Sequence, residues 1–116
     1  MTSAAVATKP TEAEFQSQVI ELARTCGWRT LHIRRSIGKG RRWTTTTSLV
    51  GWPDLVLMRP PRDLLFIELK VPPHRLTPEQ AELLCYLDRF EFATARVWTP
   101  DDWDLIVDTL TARGAR

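Results

Sequence analysis

Leu64-Leu65-Phe66-Ile67-Glu68-Leu69-Lys70-Val71 decides how this chain is read, set between the turn Pro60-Pro61-Arg62-Asp63 and the stop Pro72-Pro73. An apolar run of this length between turn signals is a β-strand. Strand side chains alternate faces, so Ile67 and Leu69 point one way and Glu68 and Lys70 the other. A carboxylate and an ammonium on an apolar strand are costly unless they are solvated, paired or ligated. One reading is a sheet end whose Glu68/Lys70 pair faces water. The other is a chemical site.

The preceding segment bears on that choice. Leu55-Val56-Leu57-Met58 is a second buried strand, entered through Gly51-Trp52-Pro53-Asp54. A turn aspartate often bonds its own backbone. Asp54 also opens a strand that can pair antiparallel with 64–71, which would bring it beside Glu68. Two carboxylates converging with a lysine nearby make a hard-oxygen site. Mg²⁺ is typically held by one or two carboxylates, with its other positions left to water and phosphate oxygens.

Further out, Thr11 caps a first helix, and Glu14 completes a capping box. Phe15, Val19, Leu22 and Ala23 recur at helical spacing, with Ile20 beside them, and Gly27 closes the helix. Thr30 to Ile33 is a short strand. Thr77, with Pro78 at the first helical position, opens a second helix running to about Phe90. Arg96-Val97-Trp98 is a last strand. A last helix opens at Thr99 or Asp101 and carries Trp103, Ile106, Val107 and Leu110, which suit either the core or an interface. The order is about α-β-β-β-α-β-α, an α/β fold with a small mixed sheet flanked by helices. Residues 1–10 read as a disordered lead, 11–112 as one domain and 113–116 as a tail.

Residues 34–50 fit no regular pattern and read as a long loop. Arg34, Arg35, Lys39, Arg41 and Arg42 fall within nine positions there, with no acid among them. The whole chain has 116 residues, 16 Lys+Arg against 14 Asp+Glu, and a net charge of +2. That near-balance excludes a uniformly basic DNA coat but not a local basic face. Such a loop is either simply solvated or makes phosphate contacts that position a duplex without reading its sequence. Trp43 and Trp52 flank it and suit stacking on a base or packing. Cys26 and Cys85 have no second Cys or His at metal-ligand spacing, and read as reduced, partly buried packing residues. His32 reads as a structural histidine. There is no membrane-length apolar run and no signal peptide at the start, so a cytoplasmic protein is expected.

Pro53-Asp54 followed by Glu68-x-Lys70 resembles the PD-(D/E)xK nuclease signature, with 13 residues between Asp54 and Glu68. The surroundings resemble one branch of it, the virus-type replication-repair nuclease (VRR-NUC) module. They are Thr11-Glu12-x-x-x-Gln16, Gly51-Trp52-Pro53-Asp54-Leu55, Phe66-Ile67-Glu68-Leu69-Lys70, Arg75-Leu76-Thr77-Pro78-Glu79-Gln80 and Val97-Trp98-x-Pro100. The resemblance covers about residues 11–107 and is nearest to the small standalone versions of phages and prophages. It implies a restriction-endonuclease-like core and a Mg²⁺- or Mn²⁺-dependent DNA endonuclease with no organic cofactor. Asp54 and Glu68 would bind the ion, with the Leu69 carbonyl as a further ligand. Lys70 would sit against the attacking water or the scissile phosphate, and Gln80 would be an active-site polar residue. The first-helix acid of the family falls on Glu12, which shares a helical stripe with Phe15 and Val19 and should face inward, with Glu14 as the alternative. A junction, flap or nicked substrate is expected, and a two-fold junction needing two cuts would suit a homodimer. The runner-up is a non-catalytic nucleic-acid-binding module that keeps the fold.

Overall fold

A computed structural model describes residues 9–33, 36–37, 43–44 and 49–112. Helix α1 (Glu12–Thr25) starts as its sequence requires: the Thr11 side chain accepts the Glu14 N–H at 3.1 Å, and the Glu14 carboxylate accepts the Thr11 N–H at 2.8 Å. Strand β1 (Arg29–His32) follows, then the short strands β2 (Ser36–Ile37) and β3 (Trp43–Thr44). Strands β4 (Leu55–Arg59) and β5 (Asp63–Leu69), helix α2 (Pro78–Leu87) and strand β6 (Ala93–Trp98) come next. A 3₁₀ turn over Pro100–Asp102 leads into α3 (Trp103–Thr111).

The main sheet runs β1-β4-β5-β6. The first two pairings are antiparallel, and β5 and β6 are parallel, as a connection through a helix requires. The order differs from expectation by one hairpin. Segment 34–50 is not wholly irregular, because β2 and β3 pair antiparallel as a separate two-stranded sheet. Each contributes two residues, too few to show a period of two in the sequence. Helix α2 also ends earlier than expected, at Leu87, with Asp88 as its C-cap. The Asp88 carboxylate accepts the Ala95 N–H at 3.0 Å and Arg96 Nη1 at 2.9 Å. The Ala95 hydrogen bond, with Arg96 assisting, holds its pKa below the usual carboxylate value.

The two faces of the sheet are covered unequally. On one, α1 and α3 close a core of Phe15, Val19, Ala23, Leu55, Leu57, Leu65, Ile67, Leu69, Ile106 and Leu110. Trp103 packs against it, so α3 belongs to the core. On the other face α2 brings Leu84 and Leu87 onto Ala95, with Trp52, Phe66, Leu76 and Leu83 around them. Trp52 meets Phe66 edge-to-face at 5.6 Å, which places it in packing.

At one end of the sheet Arg59 ties four elements together. Its Nε lies 2.9 Å from the Asp63 carboxylate, and Nη1 donates to the carbonyls of Cys26 and Leu110. Nη2 donates to the carbonyl of Ala112. Its guanidinium also lies 4.3 Å from the ring centre of Trp28, whose indole N–H donates to the Leu110 carbonyl at 2.9 Å. A cation on the last carbonyls of a helix satisfies acceptors that have no intrahelical donor. Both cysteines are free. Cys26 packs against the core as expected, but Cys85 is exposed on the outer side of α2, because the buried side of that helix is taken by Gln80, Leu84 and Leu87.

Candidate active site

The register of β4 and β5 builds the site. Leu55 pairs with Ile67, so one step further Asp54 stands opposite Glu68. Asp54 is not a turn aspartate bonded to its own backbone. Its Oδ2 accepts the N–H of Leu69 across the strands at 3.0 Å, and its carbonyl accepts the Ile33 N–H at 2.9 Å. The turn residue is thus fastened to both neighbouring strands. Pro53 before it is fully buried.

Glu68 is 1% exposed, on the face covered by α2. Its Oε2 lies 3.3 Å from Lys70 Nζ and accepts a hydrogen bond from Gln80 Nε2 at 3.1 Å. Lys70 lies beyond the end of β5, yet its N–H still donates to the Trp98 carbonyl at 3.0 Å, so its backbone is held on β6. Of the two readings of the Glu68/Lys70 pair, the water-facing one is excluded by the burial of the carboxylate.

Gln80 serves two structures at once. Its Oε1 accepts the Thr77 N–H at 2.9 Å, while its own N–H donates to the Thr77 hydroxyl at 3.1 Å, which is a capping box. With the amide oxygen committed to the helix start, the amide nitrogen is turned toward Glu68. Gly51 brings the entry turn against the same helix end. Its φ is +89°, and a Cβ there would sit 2.7 Å from Glu79 C and O and 3.0 Å from Gln80 N. Only a residue without a Cβ allows this approach. In the sequence Gly51 stands only as the first residue of the segment that enters β4 and of the motif Gly51-Trp52-Pro53-Asp54-Leu55. A glycine two residues before a buried Pro-Asp was the available signal, but its partner lies 28 residues on.

Glu12 is placed differently from expectation. It is 49% exposed rather than turned inward, and its Oε2 lies 3.2 Å from Nδ1 of His74, in the turn after β5. The apolar stripe of α1 becomes buried only from Phe15 onward, so the first turn lies outside the covered core. Glu14 is spent on the capping box. His74 was not singled out in the sequence; its only signal was a position just past the strand stop Pro72-Pro73. Among the described residues, no three His, Cys, Asp or Glu side chains gather as a metal-holding group. Asp54 and Glu68 stand across from each other. Arg34, Arg35, Lys39, Arg41 and Arg42 lie outside the described residues. Among the described residues, no helix is long and apolar enough to cross a membrane.

Two oxygen-rich side chains on adjacent strands fit a hard divalent cation. Like charges directly opposed across a sheet are destabilising, and a buried carboxylate needs a cation or donors. Lys70 and Gln80 supply part of that need. The donor chemistry is right for an ion held by carboxylates and completed by water or phosphate.

The chain matches the VRR-NUC domain over residues 5–98 and belongs to that family of nucleases. The four-stranded mixed sheet flanked by three helices agrees with a restriction-endonuclease-like nuclease fold. No curated protein and no solved structure matches the chain at a significant level.

Proposed function

We propose that this member of the VRR-NUC family is a metal-dependent DNA endonuclease whose site is Asp54, Glu68, Lys70 and Gln80. The observation that carries the reading is the buried Glu68, 1% exposed, opposed across the strand pair to a second carboxylate. Mg²⁺ or Mn²⁺ would be held by Asp54 and Glu68, with the Leu69 carbonyl as a further oxygen. Glu12, at the start of α1, is the family's remaining acid. When bound, the ion would supply positive charge against the negative charge that builds on the phosphate and would raise the acidity of the attacking water.

The chain's own residues do the rest. Asp54 is held by the Leu69 N–H, so its carboxylate is fixed relative to the β5 backbone. Gln80 orients Glu68 by donating to one of its oxygens. Lys70 places a compact positive charge beside the same carboxylate, from which it can reach a phosphate oxygen or the water that attacks it. Arg34, Arg35, Lys39, Arg41 and Arg42 would hold the DNA backbone and supply the salt-dependent part of its affinity. A structure-selective role on junctions, flaps or nicks in phage replication, recombination or repair fits a small nuclease whose positive charge is concentrated in one segment.

The test is incubation of the protein with supercoiled plasmid, a flap and a four-way junction, each with Mg²⁺, Mn²⁺ or EDTA. Metal-dependent cleavage, lost in Glu68→Gln, is expected. Binding without cleavage in either metal would make the protein a non-catalytic DNA-binding module. Replacing Arg41 and Arg42 with Ala should flatten the salt dependence of binding, and an unchanged slope would remove the basic segment from the interface.

A further inference from the structure

The sheet end far from Glu68 carries an unusual surface. Around the turn that joins α2 to β6, Tyr86, Phe90 and Phe92 are each 53–55% exposed. Tyr86 meets Phe90 edge-to-face, with ring centres 5.7 Å apart. Two arginines lie over these rings. Arg89 is 6.0 Å from the centre of Tyr86, and Arg62, from the turn between β4 and β5, is 4.9 Å from the centre of Phe92. The backbone holds the group together. The Arg89 N–H donates to the Tyr86 carbonyl, the Phe90 N–H to the Leu87 carbonyl and the Ala93 N–H to the Phe90 carbonyl, each at 3.2 Å. Ala93 in turn pairs with Leu64, two residues after Arg62.

Three rings left half in water are unfavourable, and the core does not use them, because α2 buries Leu84 and Leu87 instead. The charges say what covers them. Among the described residues neither Arg62 nor Arg89 makes an ion pair, whereas the neighbouring acids Asp63 and Asp88 are paired with Arg59 and Arg96. Two arginines against Glu91, the other acid of the turn, leave the surface positive. Rings interleaved with guanidinium groups suit an occupant that is flat, apolar and anionic at once. A single nucleic-acid strand is such an occupant: its bases stack on aromatic rings and on guanidinium planes, and its phosphates meet the charge. A duplex suits the surface less, because its bases are already stacked on one another.

We propose that the turn after α2, with Arg62 beside it, is a stacking platform for the unpaired bases of single-stranded DNA. DNA is named as the strand on the strength of the nuclease reading above, but stacking itself needs neither the metal nor the acids. Phe92 is five residues before Val97, which pairs with Glu68. At about 3.3 Å per residue the platform lies roughly 17 Å along the sheet from that acid. A strand covers this with about five nucleotides at the duplex rise of ~3.4 Å. A substrate with an unpaired tail of that length would be gripped at both ends of the sheet, and one with a shorter tail at the Glu68 end alone.

The experiment is fluorescence anisotropy on the full chain in EDTA, where binding is read without cleavage. The probe is a labelled hairpin duplex, blunt or with a dT tail of about two or about ten nucleotides on its 3′ or 5′ side, below and above the reach. The longer tail should tighten wild-type binding about tenfold over the blunt duplex on at least one side, and the shorter one hardly at all. Phe90→Ala and Phe92→Ala should each remove most of that gain, about five- to tenfold. Blunt-duplex binding should stay unchanged, with far-UV circular dichroism confirming the fold. Phe92→Trp keeps a stacking face and should keep the gain. Arg62→Ala should lower the salt slope of tailed binding by about 0.7. Equal affinity of the wild type for blunt and tailed duplexes, or ring variants that hold the tail as tightly as the wild type, would overturn the platform. So would ring variants altered only in sedimentation, which would give the surface to a protein contact. Adding Mg²⁺ or Mn²⁺ separates the two readings. Tail binding through the rings without any cleavage keeps the platform and removes the nuclease; cleavage indifferent to rings and tail does the reverse.

Discussion

The strand pair β4/β5 carries charge at both ends, and one register sets both. At one end Arg59 faces Asp63; at the other, one step past the last pair, Asp54 faces Glu68. The first end is complementary, and Arg59 donates further to the carbonyls of Cys26, Leu110 and Ala112. The second end opposes two acids, with Lys70 and Gln80 beside Glu68 and the Leu69 N–H on Asp54. Opposite charges across a sheet stabilise it and like charges do the reverse. The two ends therefore differ in what completes them. The Arg59 end is closed by the fold itself. The Glu68 end is where the proposed ion would bind, between Asp54 and Glu68.

The sharpest way to break that contrast is to remove charge from the Glu68 end. Lys70→Ala and Glu68→Gln should each lower cleavage by about 10³-fold or more. Asp54→Asn should abolish the rise in melting temperature on adding Mg²⁺, while leaving stability in EDTA nearly unchanged or slightly higher. A large loss of stability in EDTA would show that the acids serve the fold. At the other end the effects should be reversed. Arg59→Ala should cost about 2–4 kcal/mol in denaturant unfolding, because it strips donors from partly buried carbonyls and a carboxylate. Its activity per folded molecule should stay within about twofold.

Smaller changes sharpen the picture between the ends. Gly51→Ala adds a methyl where Glu79 C and O are only 2.7 Å away, and it strains a backbone at φ +89°. A cost of about 1–3 kcal/mol is expected, with a larger proportional fall in cleavage because the helix end carrying Gln80 must shift. The smallest effect concerns Asp88, whose pKa is lowered by the Ala95 N–H. Its contribution to stability is present above the ordinary carboxylate range and is lost as pH falls through the lowered value. Asp88→Asn should therefore melt slightly earlier than wild type at pH 7, and the difference should vanish in strong acid.

Much of this was legible because it is local. The two capping boxes follow from Thr11/Glu14 and Thr77/Gln80, three residues apart in each case. The alternation in 64–71 separated Ile67 and Leu69 from Glu68 and Lys70 as the structure does. What escaped was set by distant contacts. Glu12 lies on the apolar stripe, yet the stripe is covered only from Phe15, and nothing in the helix pattern reveals where the sheet beneath it stops. The hairpin β2/β3 is too short to carry a period. The role of Gln80 was half visible. Its cap could be read from Thr77, but its grip on Glu68 depends on how α2 docks. The clasp made by Arg59 was not legible, since apart from Asp63 its acceptors are carbonyls 33, 51 and 53 residues away.

Those separations have a consequence for the order in which the molecule is made. A ribosome that has released β4 and β5 has already supplied Asp54, Glu68 and Lys70. The carbonyls of Leu110 and Ala112 do not yet exist, so Arg59 has only its nearer partners and the indole N–H of Trp28 has no acceptor from α3. Closure of the domain waits on α3, well after the sheet face bearing Asp54 and Glu68 has emerged. An interruption of synthesis short of residue 110 would leave the chemical groups in hand on a sheet with one layer only half covered.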